Sequence, residues 1–327
     1  MIVAGDIGGT NARLATFDVQ GGRLQLIREL IYKSRSAPDL ETIVRRFVEE
    51  ARPSPVGAAL GVAGPVKDGR IETPNLPWVV DARHLAEILG VPKVTLLNDL
   101  KANAYGLRHL APTDFAVLQA GSTGTAGNQA ILSAGTGLGA AGLYWDGQRH
   151  RPFATEGGHA DWAPRNHLEA ELLEAIAREK GRVSAERLLS GGGLVRIYRF
   201  FRQRSGVAEP AELAERFAHE DAAAVVSRTA MAGGDPVCVQ ALDQFVSTYG
   251  AEAGNVALRM LATAGVFLGG GIAPKNLPAF KRDGLFMKAF LNKGRMRPLL
   301  ETISVQVVLN DRAALWGAAH CAAFDES

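Results

Sequence analysis

The chain has 327 residues, 47% of them hydrophobic and 21% charged, with 36 Lys and Arg against 34 acids for a net charge of +2. That length and composition suit a folded chain with a sizeable core and room for two domains. No basic block marks a broad nucleic-acid footprint, and no apolar run approaches the roughly 20 residues that a membrane span needs.

The chain opens on "IVAGDIGGTNARLATFDV", residues 2 to 19, where an apolar run meets Gly8, Gly9 and Thr10. Glycines directly after a strand let backbone approach a ligand closely, and phosphate is the first such ligand to consider. A Walker loop or a dinucleotide fingerprint requires a helix next, with a lysine or a third glycine. Instead Ala12, Leu14, Phe17 and Val19 alternate roughly with Arg13, Thr16 and Asp18, and beyond Gly21 and Gly22 the alternation resumes at Leu24 and Leu26. That is the period of antiparallel strands, so the bend is a hairpin tip. Leu40, Ile43, Val44, Phe47 and Val48 then share one helical face, with Pro38 near its start. "VGAALGVAGPV" reads as a buried strand, and Asp81 to Leu89 as a short helix with Asp81 as N-cap and Gly90 as its stop. "KVTLL" is a strand running into Asn98 and Asp99 and a helix from about Leu100. Strands alternating with helices after an antiparallel start predict a mixed, mostly parallel sheet.

Near residue 128 the opening pattern returns: "NQAILSAGTGLGAAGLYW" is a strand, a bend at Gly135, Thr136 and Gly137, and a second strand. Two glycine-tipped hairpins predict a duplicated architecture, two lobes facing one cleft. Residues 165 to 264 read as helical: one helix over 166–180, a second from Ser184, and a third after a break at "SGGG", 190 to 193. Asp235 and Pro236 open a long helix reaching about Ala264, inside which Gly250 and Gly254 predict close approach of a neighbour. "GVFLGGGIAPK" is a strand ending at Gly269, Gly270 and Gly271, and the chain closes with the strand "ISVQVVL" and a helix from about Asp311. Cys238 and Cys321 are far apart in apolar surroundings, which fits small buried hydrophobes in a reducing compartment rather than a zinc site. The N-terminus enters a strand at once, without a signal peptide pattern, so a cytoplasmic location is expected.

Several residues could carry chemistry. Either Asn98 or Asp99 caps the helix that follows them. Asp99 also sits at the carboxyl end of a strand, where an ionised carboxylate can take the proton of a hydroxyl that attacks phosphorus. "TEGGHADWAP" sets Glu156 and His159 around two glycines, as a plain surface loop or as polar groups converging on hydroxyls; too few ligands lie nearby for a metal. Glu186 falls in a first helical turn, where the helix dipole favours it in any case. Asp6 beside a glycine cradle suits phosphate only if a hydrated Mg²⁺ lies between them. The Gly269 to Gly271 run would let an adenine and ribose lie flat on the backbone.

In chain order, "GDIGGTNARLA", "LLNDLKANAYG", "SAGTGLGAA", "EGGHADWAP", "SAERLLSGGGL" and "FLGGGIAPK" resemble the motifs of the bacterial ATP-dependent glucokinases, in the sugar-kinase branch of the actin-like ATPase superfamily. The match runs nearly end to end. The resemblance implies a two-lobed, ribonuclease H-like α/β fold around a cleft that holds sugar and ATP. The small α/β domain would be residues 1–110 plus 303–327, and the larger α+β domain 111–302. Asp99 would be the base that activates the 6-hydroxyl of D-glucose, with Asn98, Glu156, His159 and Glu186 on the other hydroxyls. Gly5, Asp6, Ile7, Gly8, Gly9 and Thr10 would cradle the phosphates of MgATP, and Gly135, Thr136 and Gly137 would do so from the other lobe. Members of this group are usually homodimers. The related repressor/kinase (ROK) family carries a cysteine-rich zinc motif after its equivalent histidine, whereas "ADWAP" follows His159 here, so His159 reads as a sugar ligand. "TPNLPW" is similar to that relative and places Asn75 near the sugar.

The same residues allow a kinase for another hexose, such as mannose or N-acetylglucosamine. A sugar-responsive regulator without catalysis would need an added DNA-binding domain, for which the position of the first loop leaves no room. An actin-like ATPase acting as filament or chaperone would need no cluster of sugar-hydroxyl ligands. No nucleic-acid or membrane partner is expected.

Overall fold

The computed structural model describes residues 1–73, 76–122 and 124–324. It divides into two compact units, one of residues 1–114 with 151–154 and the stretch from Asn310, the other of residues 115–150 and 155–309.

The first unit is built on β1 (Ile2–Ile7), β2 (Asn11–Gln20), β3 (Arg23–Lys33), β4 (Ala58–Val62), the small hairpin β5 (Arg70–Glu72) and β6 (Val79–Asp81), and β7 (Val94–Asn98). Its main sheet runs β3-β2-β1-β4-β7. As the period-2 pattern predicts, a strand and no helix follows Gly8 to Thr10: β2 returns antiparallel along β1, with Arg13 directly opposite Asp6. On the other side of β1, β4 and then β7 follow in parallel, and the register aligns Ile7, Val62 and Asn98 in one row across the sheet. The glycine bend and the Asn98-Asp99 corner therefore leave the same sheet edge.

Each face of this sheet carries a core. One packs the helix Leu40–Ala51, which buries Leu40, Ile43, Val44 and Phe47, each worth about 2 kcal/mol of transfer free energy. Asp39 caps that helix through the Thr42 N–H at 2.8 Å, and the helix Ala82–Leu89 starts at Asp81 and stops at Gly90 as expected. The other face packs the helices Asp99–Gly106 and Ala313–Phe324.

The second sheet holds β8 (Phe115–Gln119), β9 (Gln129–Ala134), β10 (Leu138–Trp145), β11 (His150–Thr155, of which 151–154 count with the first unit), β12 (Gly265–Gly269) and β13 (Val305–Val308), ordered β11-β10-β9-β12-β13-β8. Its first five strands repeat the first sheet: an antiparallel hairpin, then two parallel neighbours. That is the duplication suggested by the two glycine-tipped hairpins. The strand Val305–Val308 pairs with β12 and β8 in this second sheet, which differs from the boundary at residue 303 that the resemblance implies. An apolar strand carries no mark of which sheet it joins.

Two helices also differ from expectation. The break expected over "SGGG" is shorter and ends earlier: the helix Ala185–Leu188 stops before it, and Ser190 caps the next helix, Gly191–Ser205, its Oγ accepting the Gly193 N–H at 3.1 Å. The glycines form its first turn because a Cβ on Gly193 would overlap the Leu188 carbonyl. The long helix is Pro236–Arg259, ending short of Ala264 where Leu261 turns the chain at φ 45°. Its Gly250 and Gly254 do admit a neighbour, the backbone of the helix Leu285–Leu291 at Phe286 and Phe290.

Cys238 and Cys321 are both buried and neither is in a disulfide. Among the described residues no helix is long and apolar enough to cross a membrane.

Candidate active site

In the first unit, the end of β7 answers which residue caps the next helix. The Asn98 side-chain oxygen accepts the Leu100 and Lys101 N–H groups at 3.0 and 3.3 Å, and its amide donates to the Gly64 carbonyl at 3.2 Å. Asn98 is the cap, which leaves Asp99 as the first helical residue. One Asp99 oxygen accepts its neighbouring Leu100 N–H at 2.9 Å. The helix can lie this close over β4 because Gly61 has no side chain: a Cβ there would lie 2.8 Å from Ala102 Cβ.

Asp6 lies opposite Gly61 and Arg13 on its two neighbouring strands. Its carboxyl is pushed up to about 7, chiefly by burial, with Arg13 pulling it down and Asp99 and Asp311 repelling it. Arg13 pairs with Asp311 and lies 3.9 Å from Glu29, which Arg312 holds at 2.9 Å. Burial keeps Asp6 hard to charge while Asp99 faces the same region, and a cation near this strand end would relieve both effects. No cluster of three or more potential ligands occurs among the described residues.

The bend after β1 is tied from below. The Gly8 N–H donates to the Asn11 carbonyl at 2.9 Å, Ser34 Oγ donates to the Gly8 carbonyl at 2.7 Å, and the Ser34 N–H donates to the Thr10 carbonyl at 3.0 Å. Thr10 itself is exposed.

In the second unit three sequence-distant stretches come together. The Gly135–Gly137 bend closes on itself with a Gly135 N–H to Gly137 carbonyl bond of 2.8 Å. The turn after Glu156 packs on the start of β10, where a Cβ on Gly158 would overlap the Leu138 carbonyl. Glu186 reaches the same place, accepting the Leu138 N–H at 3.0 Å. Glu156 and His159 extend from that turn with their side chains 70% and 57% exposed and 4.0 Å apart, open to a ligand. Beyond β12, Gly270 at φ 77° lies against the Ala134 carbonyl, where any side chain would collide.

Gly135 differs from the other close-packed glycines. Its φ is ordinary and no atom lies within 4 Å of where a Cβ would be. Neither turn geometry nor packing demands glycine there, and open space above bare backbone is what a phosphate requires.

Residues that the sequence did not single out complete these sites. Tyr249, wholly buried, donates to the Leu132 carbonyl at 3.0 Å and accepts the Ala134 N–H at 3.2 Å, fixing the strand that leads into the bend. Arg13 and Asp311 brace the first loop. A charged residue interrupting an apolar strand was the available signal for Arg13. Asn75 lies outside the described residues.

Residues 3–324 match the family model described as Glucokinase. The glucokinase of Trichormus variabilis is 42% identical over 339 residues, covering 99% of each chain. That of Synechocystis sp. is 41% identical, covering 98% of this chain and 97% of the relative. Among solved structures, a glucokinase from an Antarctic psychrotroph has TM-score 0.84 and 32% identity over 98% of both chains. A ROK family glucokinase from Streptomyces griseus, at TM-score 0.65 and 22% identity, shares the actin-like ATPase fold.

Proposed function

The chain belongs to the glucokinase family, and from that premise we propose how its residues divide the reaction, in which the γ-phosphoryl group of ATP passes to the 6-hydroxyl of D-glucose. Asp99 accepts the proton of the 6-hydroxyl as that oxygen bonds to phosphorus and the bond to the ADP oxygen breaks. Asn98, Glu156, His159 and Glu186 hydrogen-bond the remaining hydroxyls. Asn98 keeps one amide hydrogen for this after capping its helix and bonding Gly64. The stretch Gly5 to Thr10 and the bend at Gly135, Thr136 and Gly137 present to the phosphates the backbone N–H groups that their turns leave over, those of Gly8 and Gly135 being held by the Asn11 and Gly137 carbonyls, and Gly269 to Gly271 offer a flat surface to the adenosine.

The observation that carries the nucleotide reading is Gly135, bare without any packing reason. Asp6 fits a Mg²⁺ ion held through water: its carboxyl is crowded by Asp99 and Asp311, and without a protein cage the ion keeps waters and phosphate oxygens. When bound, it neutralises charge on the transferring phosphates. The two buried thiols suit a reducing cytoplasm, and we place the enzyme there as a homodimer.

A coupled ADP-release assay tests the reading. Release should depend on glucose, and mannose and N-acetylglucosamine should turn over more slowly, because a wrong sugar leaves polar groups unpaired. Glucose turnover no faster than ATP hydrolysis in water would overturn it. Faster turnover of another hexose would move the substrate assignment and leave the reaction class.

A further inference from the structure

The segment from Glu186 to Gly193 grips the Gly135–Gly137 bend from both ends. At one end the Gly191 N–H donates to the Gly135 carbonyl at 2.9 Å. At the other, Glu186 Oε2 accepts the Leu138 N–H at 3.0 Å. The segment is itself stiff: Ser190 Oγ donates to the Glu186 carbonyl at 2.9 Å and accepts the Gly193 N–H at 3.1 Å. Gly137 leaves room for the same contact, since a Cβ there would lie 2.5 Å from Glu186 Oε2 and push the carboxylate aside.

We infer that Glu186 is a positioning residue for ATP as well as a ligand of the sugar, one carboxylate oxygen holding the phosphate bend through Leu138 while the other meets a hydroxyl. This rests on the site assignments under Proposed function. A charged acceptor holds a backbone N–H about twice as firmly as a neutral one. Its orientation then sets that of the bend, whose N–H groups other than that of Gly135 face the phosphates. A sugar hydroxyl on the second oxygen fixes the rotation of the carboxylate and orders the bend further, so glucose tightens nucleotide binding, and by linkage the nucleotide tightens glucose equally. A residue that only bound sugar would leave the nucleotide unaffected when no sugar is present.

The test is calorimetric binding of magnesium AMPPNP without sugar, and of glucose without nucleotide, to the full-length wild type and three variants. Glu186→Ala should weaken AMPPNP roughly 5- to 15-fold, less than the full effect of losing one hydrogen bond to a charged group because the Gly191 N–H still holds the bend. Glu186→Gln, which keeps a neutral acceptor oxygen for Leu138, should weaken AMPPNP only about two- to fourfold while losing glucose affinity. Gly137→Ala keeps the carboxylate but displaces it, and should weaken AMPPNP as Glu186→Ala does. AMPPNP binding unchanged in Glu186→Ala overturns the positioning role, and a loss of glucose affinity alone in that variant leaves the sugar reading standing. Weakened AMPPNP with glucose affinity intact does the reverse. If Glu186→Ala does not fold, by its melting curve, unchanged AMPPNP binding in Gly137→Ala overturns the inference instead.

Discussion

Gly106 and Ala313 meet backbone against backbone: a Cβ on Gly106 would overlap the Ala313 carbonyl. One helical repeat away, Gly317 sits in the same manner on the carbonyl of Ala102. The helix that begins at Asp99 thus lies against the terminal helix with no side chain between them at two points. Ala102, Ala314 and Ala318 fill the rest of the seam. Asp99, at one end of that helix, is placed by residues more than two hundred positions later in the chain.

Because neither carbonyl can retreat without moving its helix, Gly106→Ala and Gly317→Ala should each cost about 3 kcal/mol or prevent folding. Gly192→Ala is the control. Its nearest neighbour would be the flexible end of Arg196 at 3.5 Å, so it should be neutral or stabilise by about 0.5 kcal/mol. Denaturant midpoints of the three variants decide this, and equal midpoints would show that the seam can open at little cost.

Asp99→Asn keeps the size of the side chain and removes its basicity. A base acts as the proton leaves, so kcat should fall by about 10³-fold or more, with glucose binding changed by less than about fivefold. Parallel losses in glucose affinity and kcat would make Asp99 a binding residue instead. Single-turnover kinetics beside calorimetric binding separates the two.

What could be read in the sequence follows from where the constraint lies. Gly250 and Gly254 were legible because glycine inside a long helix costs about 1 kcal/mol and so needs a reason. The structure supplies it in the Phe286 and Phe290 carbonyls. The same logic was right that the helix breaks near Ser190 but extended the break over Gly191 to Gly193, where Ser190 caps a helical turn and Leu188 excludes a side chain at Gly193. The antiparallel start of the first sheet followed from period, but the sheet joined by Val305–Val308 did not, since partner choice is written in the partners' shapes. Least legible were contacts made by backbone: the Leu138 N–H and the Gly191 N–H carry no residue-type signature. Arg13 was visible as a charge in a strand, yet its partner Asp311 is 298 residues away.

Asp6 gives the fold a pH dependence of unusual sign. Its folded-state carboxyl is pushed up to about 7, mainly by burial, from an ordinary 3.8. Between those values the folded chain holds a proton that the unfolded chain has lost, so the contribution is full below pH 3.8 and is lost as pH rises to 7. In metal- and ligand-free protein, Asp6→Asn should therefore gain stability relative to wild type by about 2 kcal/mol between pH 5 and pH 7, at about 1.4 kcal/mol per unit for a fully coupled site. Urea midpoints at the two pH values measure it. A difference independent of pH would mean that Asp6 ionises normally.

His109 pulls the other way. Burial lowers it from 6.5 to about 4, with His320 and Arg108 adding repulsion. Its ring nitrogen lies 3.0 Å from His320, which in turn is 3.3 Å from the Arg108 guanidinium. The folded chain keeps His109 neutral while the unfolded chain takes up a proton, so its contribution is present above pH 6.5 and is lost as pH falls towards 4. The windows of His109 and Asp6 overlap from about pH 4 to 6.5 with opposite slopes of similar size. Wild-type stability should consequently draw little net slope from this pair, and each variant should uncover the other residue. His109→Gln should gain about 2 kcal/mol relative to wild type on going from pH 7 to pH 5, while Asp6→Asn loses about as much. The double variant should return to a flat difference. If the two single-variant differences change with pH in the same direction, one of the two groups has been given the wrong sign.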